Sequence, residues 1–149
     1  MLNLLRNSFT NYGNFSGRAT RREFLGFALF FGILTVAAHY FDLRDGEITP
    51  VAGGMAVFEL TIFLILLLPL ITVSARRLHD SDRSGWWLLF LYLPYLAFVA
   101  AANEEELVIA ASGALIVGAL VLIILLAVPG NRGLNRYGAD PREIASKIS

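Results

Sequence analysis

Four apolar stretches constrain this chain more than any motif in it: Phe24 to Phe41, Met55 to Ala75, Trp86 to Ala102 and Leu107 to Val128. They hold 18, 21, 17 and 22 residues, which as helices run roughly 26–33 Å at about 1.5 Å per residue. The hydrocarbon core of a bilayer is about 30 Å thick, so each stretch is long enough to cross it. The third is the shortest and carries Tyr92, Pro94 and Tyr95. A buried core helix is the alternative there. Losing that span would put the second loop and the C-terminal tail on opposite sides.

The charges agree with four crossings. Eleven of the twelve Lys and Arg residues lie in the N-terminal tail, the second loop and the C-terminal tail; Arg44 alone lies in the first loop and none in the third. Positive charge is retained on the cytoplasmic side of a membrane, so both termini are expected there. Formal net charge is zero, yet the inner segments sum to +6 and the outer loops to −5. A basic inner face attracts anionic headgroups. Hydrophobic residues make up 56% of the chain and mean hydropathy is +0.64, above the roughly 45–50% of a soluble domain. The expected fold is all-α: a four-helix membrane bundle, N-in and C-in, in one domain over residues 1–149. Residues 1–23, 76–85 and 129–149 are its cytoplasmic parts.

Cysteine is absent, which excludes disulfides, thiolate catalysis and cysteine metal sites. A cleaved signal peptide is not expected: no apolar run precedes Phe24, and the first run exceeds the usual length, although Val36-Ala37-Ala38 loosely resembles a cleavage site.

Leu2, Leu5, Phe9 and Tyr12 fall on one helical face, which predicts a short amphipathic helix in the inner interface, ended by Gly13. Thr20 with Glu23 has capping-box spacing, so the first span is expected to start near Arg21. Ala28 with Gly32 and Ala114 with Gly118 have the spacing that lets membrane helices approach closely, and are expected to meet other helices. Pro69 and Pro94 each remove a backbone donor and predict kinks. The tail from Pro129 to Pro141, rich in Gly, Asn and Arg, is expected to leave the helix and fold back.

The sharpest constellation is a set of arginines at the inner helix ends: Arg18, Arg22, Arg76, Arg77, Arg83, Arg132 and Arg136. Guanidinium forks match phosphate bidentately, and Gly17, Gly85, Gly130, Gly133 and Gly138 let backbone amides approach an anion. An anionic phospholipid headgroup, or a soluble phosphate compound, is the ligand this pattern suits. A second reading is topogenic: the arginines sit there because insertion needs inner positive charge, some of them pairing with Asp80, Asp82, Asp140 or Glu23. Topology needs charge rather than Arg in ten of eleven positions, which favours specific hydrogen bonding.

His79, Asp80, Asn135 and Tyr137 are further candidates for polar contacts in this cap. His79 with Asp80 and Asp82 does not make a tetrahedral metal set; a bond from His79 to Asp80 or to the tail backbone is expected instead. As a general base it would need a nucleophile, and Ser81 and Ser84 are adjacent only in sequence. Within the spans, His39 and Glu59 are the ionisable residues, able to pair in the outer half. A proton relay and a shallow glutamate reaching interfacial water are the two readings of Glu59. The clustered basic residues lack a nucleic-acid recognition motif.

Three of these cytoplasmic segments resemble a bacterial inner-membrane family catalogued as domain of unknown function 805. The first is Phe15-Ser16-Gly17-Arg18 running to Arg22-Glu23-Phe24. The second is Ala75-Arg76-Arg77-Leu78-His79-Asp80 with Arg83-Ser84-Gly85-Trp86-Trp87. The third is Pro129-Gly130-Asn131-Arg132-Gly133-Leu134-Asn135-Arg136-Tyr137-Gly138-Ala139-Asp140-Pro141. The match covers residues 15 to 141 in order. Leu25 stands where the family usually has tryptophan, and Asp82 and Asn131 where it tends toward glycine and threonine. The resemblance implies a four-helix inner-membrane protein and supplies no reaction.

The leading functional expectation is a non-enzymatic multi-pass membrane protein that engages anionic lipid, or a membrane partner or second copy, through its arginines. A small transporter or lipid flippase component is the alternative, disfavoured by the few polar groups in the spans, and an enzyme acting on phosphorylated lipid comes third. No cofactor, metal or nucleic acid is expected.

Overall fold

The computed structural model describes residues 2–44, 57–100 and 105–143. The predicted span limits at Met55 and Ala102, and Asp45, Glu47, Glu104 and Lys147, lie outside these. The described residues form helices α1 (Leu2–Thr10), α2 (Arg21–Arg44), α3 (Val57–Asp80), α4 (Leu89–Ala100) and α5 (Glu105–Ala127). A 3-10 turn, Gly85–Leu88, precedes α4. No strand occurs among the described residues; Asn135 and Gly138 make one isolated bridge. Arg21–Arg44, Val57–Asp80 and Glu106–Ala127 are long and apolar enough to cross a membrane, and Gly85–Phe98 is a shorter apolar helix. The third stretch is thus the weak one, as its length suggested. Its 3-10 turn and α4 together extend roughly 26 Å at about 2.0 and 1.5 Å per residue.

By their contacts the residues fall into two units, Met1–Phe15 with Arg22–Val73, and Ser16–Arg21 with Ser74–Ser149. In the first, α1 packs against α2 through Phe9. Phe9 meets the buried Phe27 edge-on at 5.6 Å and Phe30 at 6.0 Å. Pro69 sits inside α3, where its missing N–H leaves the carbonyl four residues earlier without a helix partner. That carbonyl belongs to Ile65, and the Tyr12 hydroxyl donates to it. Thr72 Oγ1 completes the junction, 3.0 Å from the Pro69 carbonyl and 3.3 Å from that of Tyr12.

The same logic recurs in the second unit with a different answer. Pro94 frees the carbonyl of Phe90, and this oxygen lies against Gly118 of α5, where a Cβ would stand 1.8 Å from it. The glycine hydrogen in that place faces the oxygen, the arrangement of a weak Cα–H···O bond. Gly118 therefore meets a helix as expected. Gly32 of α2 has open space where its Cβ would be; the expectation of close helix contact is not met there.

α3 continues one turn past its apolar stretch. Residues 76–80, expected in a loop, are its last turn, because Arg and Leu are strong helix formers and the turn is buried among its own partners. It ends in a Schellman motif. The Arg83 N–H bonds the Leu78 carbonyl and the Asp82 N–H that of His79, both at 3.0 Å. Asp82 takes the left-handed position at φ 58°.

Candidate functional site

Every residue of the cap described next belongs to the second unit. Its centre is the carboxylate of Asp80, at the last residue of α3. Arg18 holds Oδ1 with Nε at 2.9 Å and Nη2 at 2.8 Å. Arg77, one turn earlier on α3, holds Oδ2 with Nη1 at 2.5 Å. The three side chains are 4%, 1% and 0% exposed respectively. Two buried guanidinium groups on one carboxylate leave a net positive charge, and backbone oxygens answer it. Arg18 also donates to the carbonyls of Gly133 at 2.6 Å, Gly138 at 3.3 Å and Asn131. Arg77 donates to Leu126 at 3.0 Å and to Val128. These carbonyls come from the end of α5 and the segment after it, where the chain has left the helix and offers unpaired acceptors.

The tail therefore folds back onto the end of α3. The Asn131 N–H donates to the Asp80 carbonyl at 2.8 Å. Gly130 passes so close that a Cβ there would lie 1.8 Å from Asp80 Oδ2. Gly133 and Gly138 adopt φ of 72° and 126°, the region in which only glycine is unstrained. The N–H of Ala19 donates to the Arg76 carbonyl at 3.0 Å.

A second layer surrounds His79. Its ring stacks on Tyr137 with centroids 3.8 Å apart and planes 3° from parallel. Nδ1 lies 3.2 Å from the Gly17 carbonyl, which can only accept, so Nδ1 carries a proton. Among the described residues the ring makes neither of the expected bonds, to Asp80 or to the tail backbone. Asn135 Nδ2 donates to the His79 carbonyl at 2.9 Å, so the tail engages His79 through this carbonyl. Arg136 stands 4.9 Å from the Tyr137 ring centroid and pairs with Asp82 at 3.1 Å. Neither serine bonds His79: Ser81 Oγ donates to the Leu78 carbonyl, and Ser84 Oγ accepts from the Trp86 N–H.

The seven arginines thus separate. Arg18 and Arg77 are buried with their forks engaged by protein acceptors. Arg76 is also buried. Arg136 is 60% exposed and held by Asp82. Arg132 is exposed and Arg83 half-buried, and their guanidinium groups have no partner among the described residues. Arg22 is exposed on the first unit. Asp140 is paired with an arginine, as the sequence allowed, but with Arg142, which was not among the candidates. Asp140 is buried and accepts from Arg142 Nε at 2.8 Å, and this hydrogen bond holds its pKa below the usual carboxylate value. Arg142 lay in the tail without a spacing to single it out.

In the first unit, His39 Nδ1 lies 2.9 Å from Glu59 Oε2, so the two ionisable residues of the apolar stretches do meet. Asp42 Oδ2 accepts the Glu59 N–H at 2.8 Å, satisfying a first-turn donor of α3. Among the described residues no group of three or more His, Asp or Glu is placed to hold a metal.

This arrangement draws on all three sequence segments at once, and the family comparison covers the same ground. The family described as protein of unknown function (DUF805) matches residues 12–139. The chain belongs to that family. It is similar to Inner membrane protein YhaI of Escherichia coli K12, 32% identical over 132 residues, with 89% of each chain covered. Inner membrane protein YhaH of the same strain is 32% identical over 132 residues, covering 89% of this chain and 90% of that one. The protein YiiR of that strain is 30% identical over 139 residues, covering 90% of both. No solved structure matches. Relatives named for the inner membrane, together with three helices able to cross a bilayer, support an inner-membrane location for this DUF805 protein.

Proposed function

We propose that this protein is a non-enzymatic four-span membrane protein, N-in and C-in, whose cytoplasmic cap binds the headgroup of an anionic phospholipid. One observation carries the reading: the cap uses its arginines in two ways. Arg18 and Arg77 are spent inside, fixing the tail against α3, whereas Arg132 and Arg83 keep guanidinium groups with no protein partner among the described residues. Arg136, in the same tail segment as Arg132 and anchored at Asp82, the residue before Arg83, is held by the Tyr137 ring as a pre-oriented fork. Guanidinium is suited to a phosphodiester because two of its N–H groups meet two oxygens at once, which an ammonium cannot do. Charge alone would serve insertion equally well with lysine.

Native mass spectrometry of the full chain with its co-purified lipids separates these. Arg132→Lys and Arg136→Lys are expected to lower retained phosphatidylglycerol or cardiolipin while orientation stays unchanged. Lipid retention equal to the parent in both variants refutes the headgroup site and leaves the topogenic role. Co-purification of a protein in place of lipid, lost in the same variants, points instead to a membrane partner.

A further inference from the structure

Where α4 and α5 face each other, an open-sided groove of about 490 Å³ runs along the pair, within the second unit. Leu89, Leu93 and Pro94 form one wall; Gly113, Ala114 and Val117 form the other. Its floor is the close approach of the Phe90 carbonyl to Gly118. The depth follows from this contact: two helices meeting at a glycine bring their backbones together and leave the flanking side chains as banks. Gly113 has open space where a Cβ would stand, so the groove is not filled by the unit's own residues.

Three features say what covers it. Every lining residue is apolar and lies on the paired apolar helices, so hydrocarbon is the medium that meets it. The groove begins at Leu89, the residue after the 3-10 turn that carries Trp86 and Trp87. Trp86 is 77% exposed, while Trp87 stacks on Phe90 at 5.2 Å; paired tryptophans of this kind favour the headgroup layer. Just before that turn, Arg83 offers a half-buried guanidinium without a partner among the described residues. A cation, then indoles, then an apolar trough is the order of polarity along a glycerophospholipid. We propose that the α4–α5 groove holds one acyl chain of an anionic phospholipid whose phosphate is met by Arg83. The proposal rests on the headgroup reading above and adds to it a seat for the chain.

The test uses the full-length protein in nanodiscs containing phosphatidylglycerol with a photoreactive diazirine in one acyl chain. After irradiation, adducts are mapped by peptide mass spectrometry. They are expected to concentrate on Leu93, Ala114 and Val117 over Leu25 and Leu43, exposed residues of α2. Gly113→Phe, or independently Val117→Trp, should fill the trough and abolish the groove adducts while those on α2 persist. Arg83→Gln should reduce groove labelling by the phosphatidylglycerol probe to the level given by a phosphatidylethanolamine probe.

Labelling spread evenly over the groove and α2 overturns the proposal. So does groove labelling that survives both filling variants, or that is equal for the two probes in the parent. A disulfide-linked dimer formed by Gly113→Cys would assign the groove to a second copy and overturn it as well. Should lipid retention depend on Arg132 and Arg136 while the groove stays unlabelled, the seat fails and the headgroup site stands.

Discussion

Asp80 is the residue on which the cap turns, since its one carboxylate is shared by two buried arginines. Breaking such a buried pair by removing one partner typically costs about 3–5 kcal/mol, because the opposite charge is left uncompensated. Asp80→Asn is expected to destabilise by that order, measured as the unfolding midpoint in detergent micelles. Gly130→Ala should also destabilise, by about 1–3 kcal/mol, because its new methyl meets the same carboxylate and one of them must shift. Asp82→Gly should act in the opposite sense. A left-handed backbone costs a non-glycine residue about 1–2 kcal/mol, and the exposed ion pair it gives up with Arg136 is worth about 0–1 kcal/mol. The variant is thus expected to be neutral or up to about 2 kcal/mol more stable in the same assay. At Asp140 the prediction concerns acid. Its carboxyl is held below the ordinary value of 3.8 by the hydrogen bond from Arg142. The stabilisation this gives is complete above the unfolded value and disappears as pH falls through the depressed one. Compared with Asp140→Asn, the parent should keep a constant advantage from neutral pH down to mild acid and lose it only below about pH 4. An advantage that already shrinks between pH 8 and 6 would contradict this assignment.

At the scale of helices, the two prolines show how the same defect is closed in two ways. The carbonyl freed by Pro69 takes a hydroxyl from Tyr12, and that freed by Pro94 takes a glycine backbone. Gly118→Ala should therefore separate α4 from α5, since its methyl would meet main-chain oxygen rather than a side chain able to swing away. A loss of about 1–3 kcal/mol is expected, with Gly113→Ala, where space is open, tolerated. The helices themselves were legible because length and apolarity dominate: α2 starts at Arg21, as Thr20 and Glu23 suggested, and the tail leaves the helix at its Pro129-Gly130 pair. The last turn of α3 was not legible. Its residues Arg76, Arg77, His79 and Asp80 read as a polar loop until partners more than forty residues away in sequence bury them, as the separation of 62 between Arg18 and Asp80 illustrates. For the same reason the spacing of arginines could not say which would be spent inside the cap. Small-xxx-small spacing fared unevenly, for Gly118 has a helix against it and Gly32 does not; the spacing permits close approach without supplying the neighbour.

Over the whole molecule, the charge imbalance makes a prediction about sidedness. The chain has no cysteine of its own, so single cysteines report cleanly. Ala139→Cys, on the exposed tail, should react with a membrane-impermeant maleimide only in inverted vesicles, and Glu106→Cys, at the start of α5, only in right-side-out ones. Both reacting from one side would remove the four-span topology along with the headgroup reading.

The embrace of Arg18 and Arg77 by carbonyls from residues 126 to 138 also imposes an order on biogenesis. Val128 follows Arg77 by 51 residues, and the ribosome delivers it only after α4 and α5 have been synthesised. Until then both guanidinium groups must stay hydrated at the membrane surface, and the end of α3 has nothing to close upon. Completion of the cap is thus a terminal event of synthesis, and under the proposed four-span topology it can follow only once the α4–α5 hairpin has been inserted.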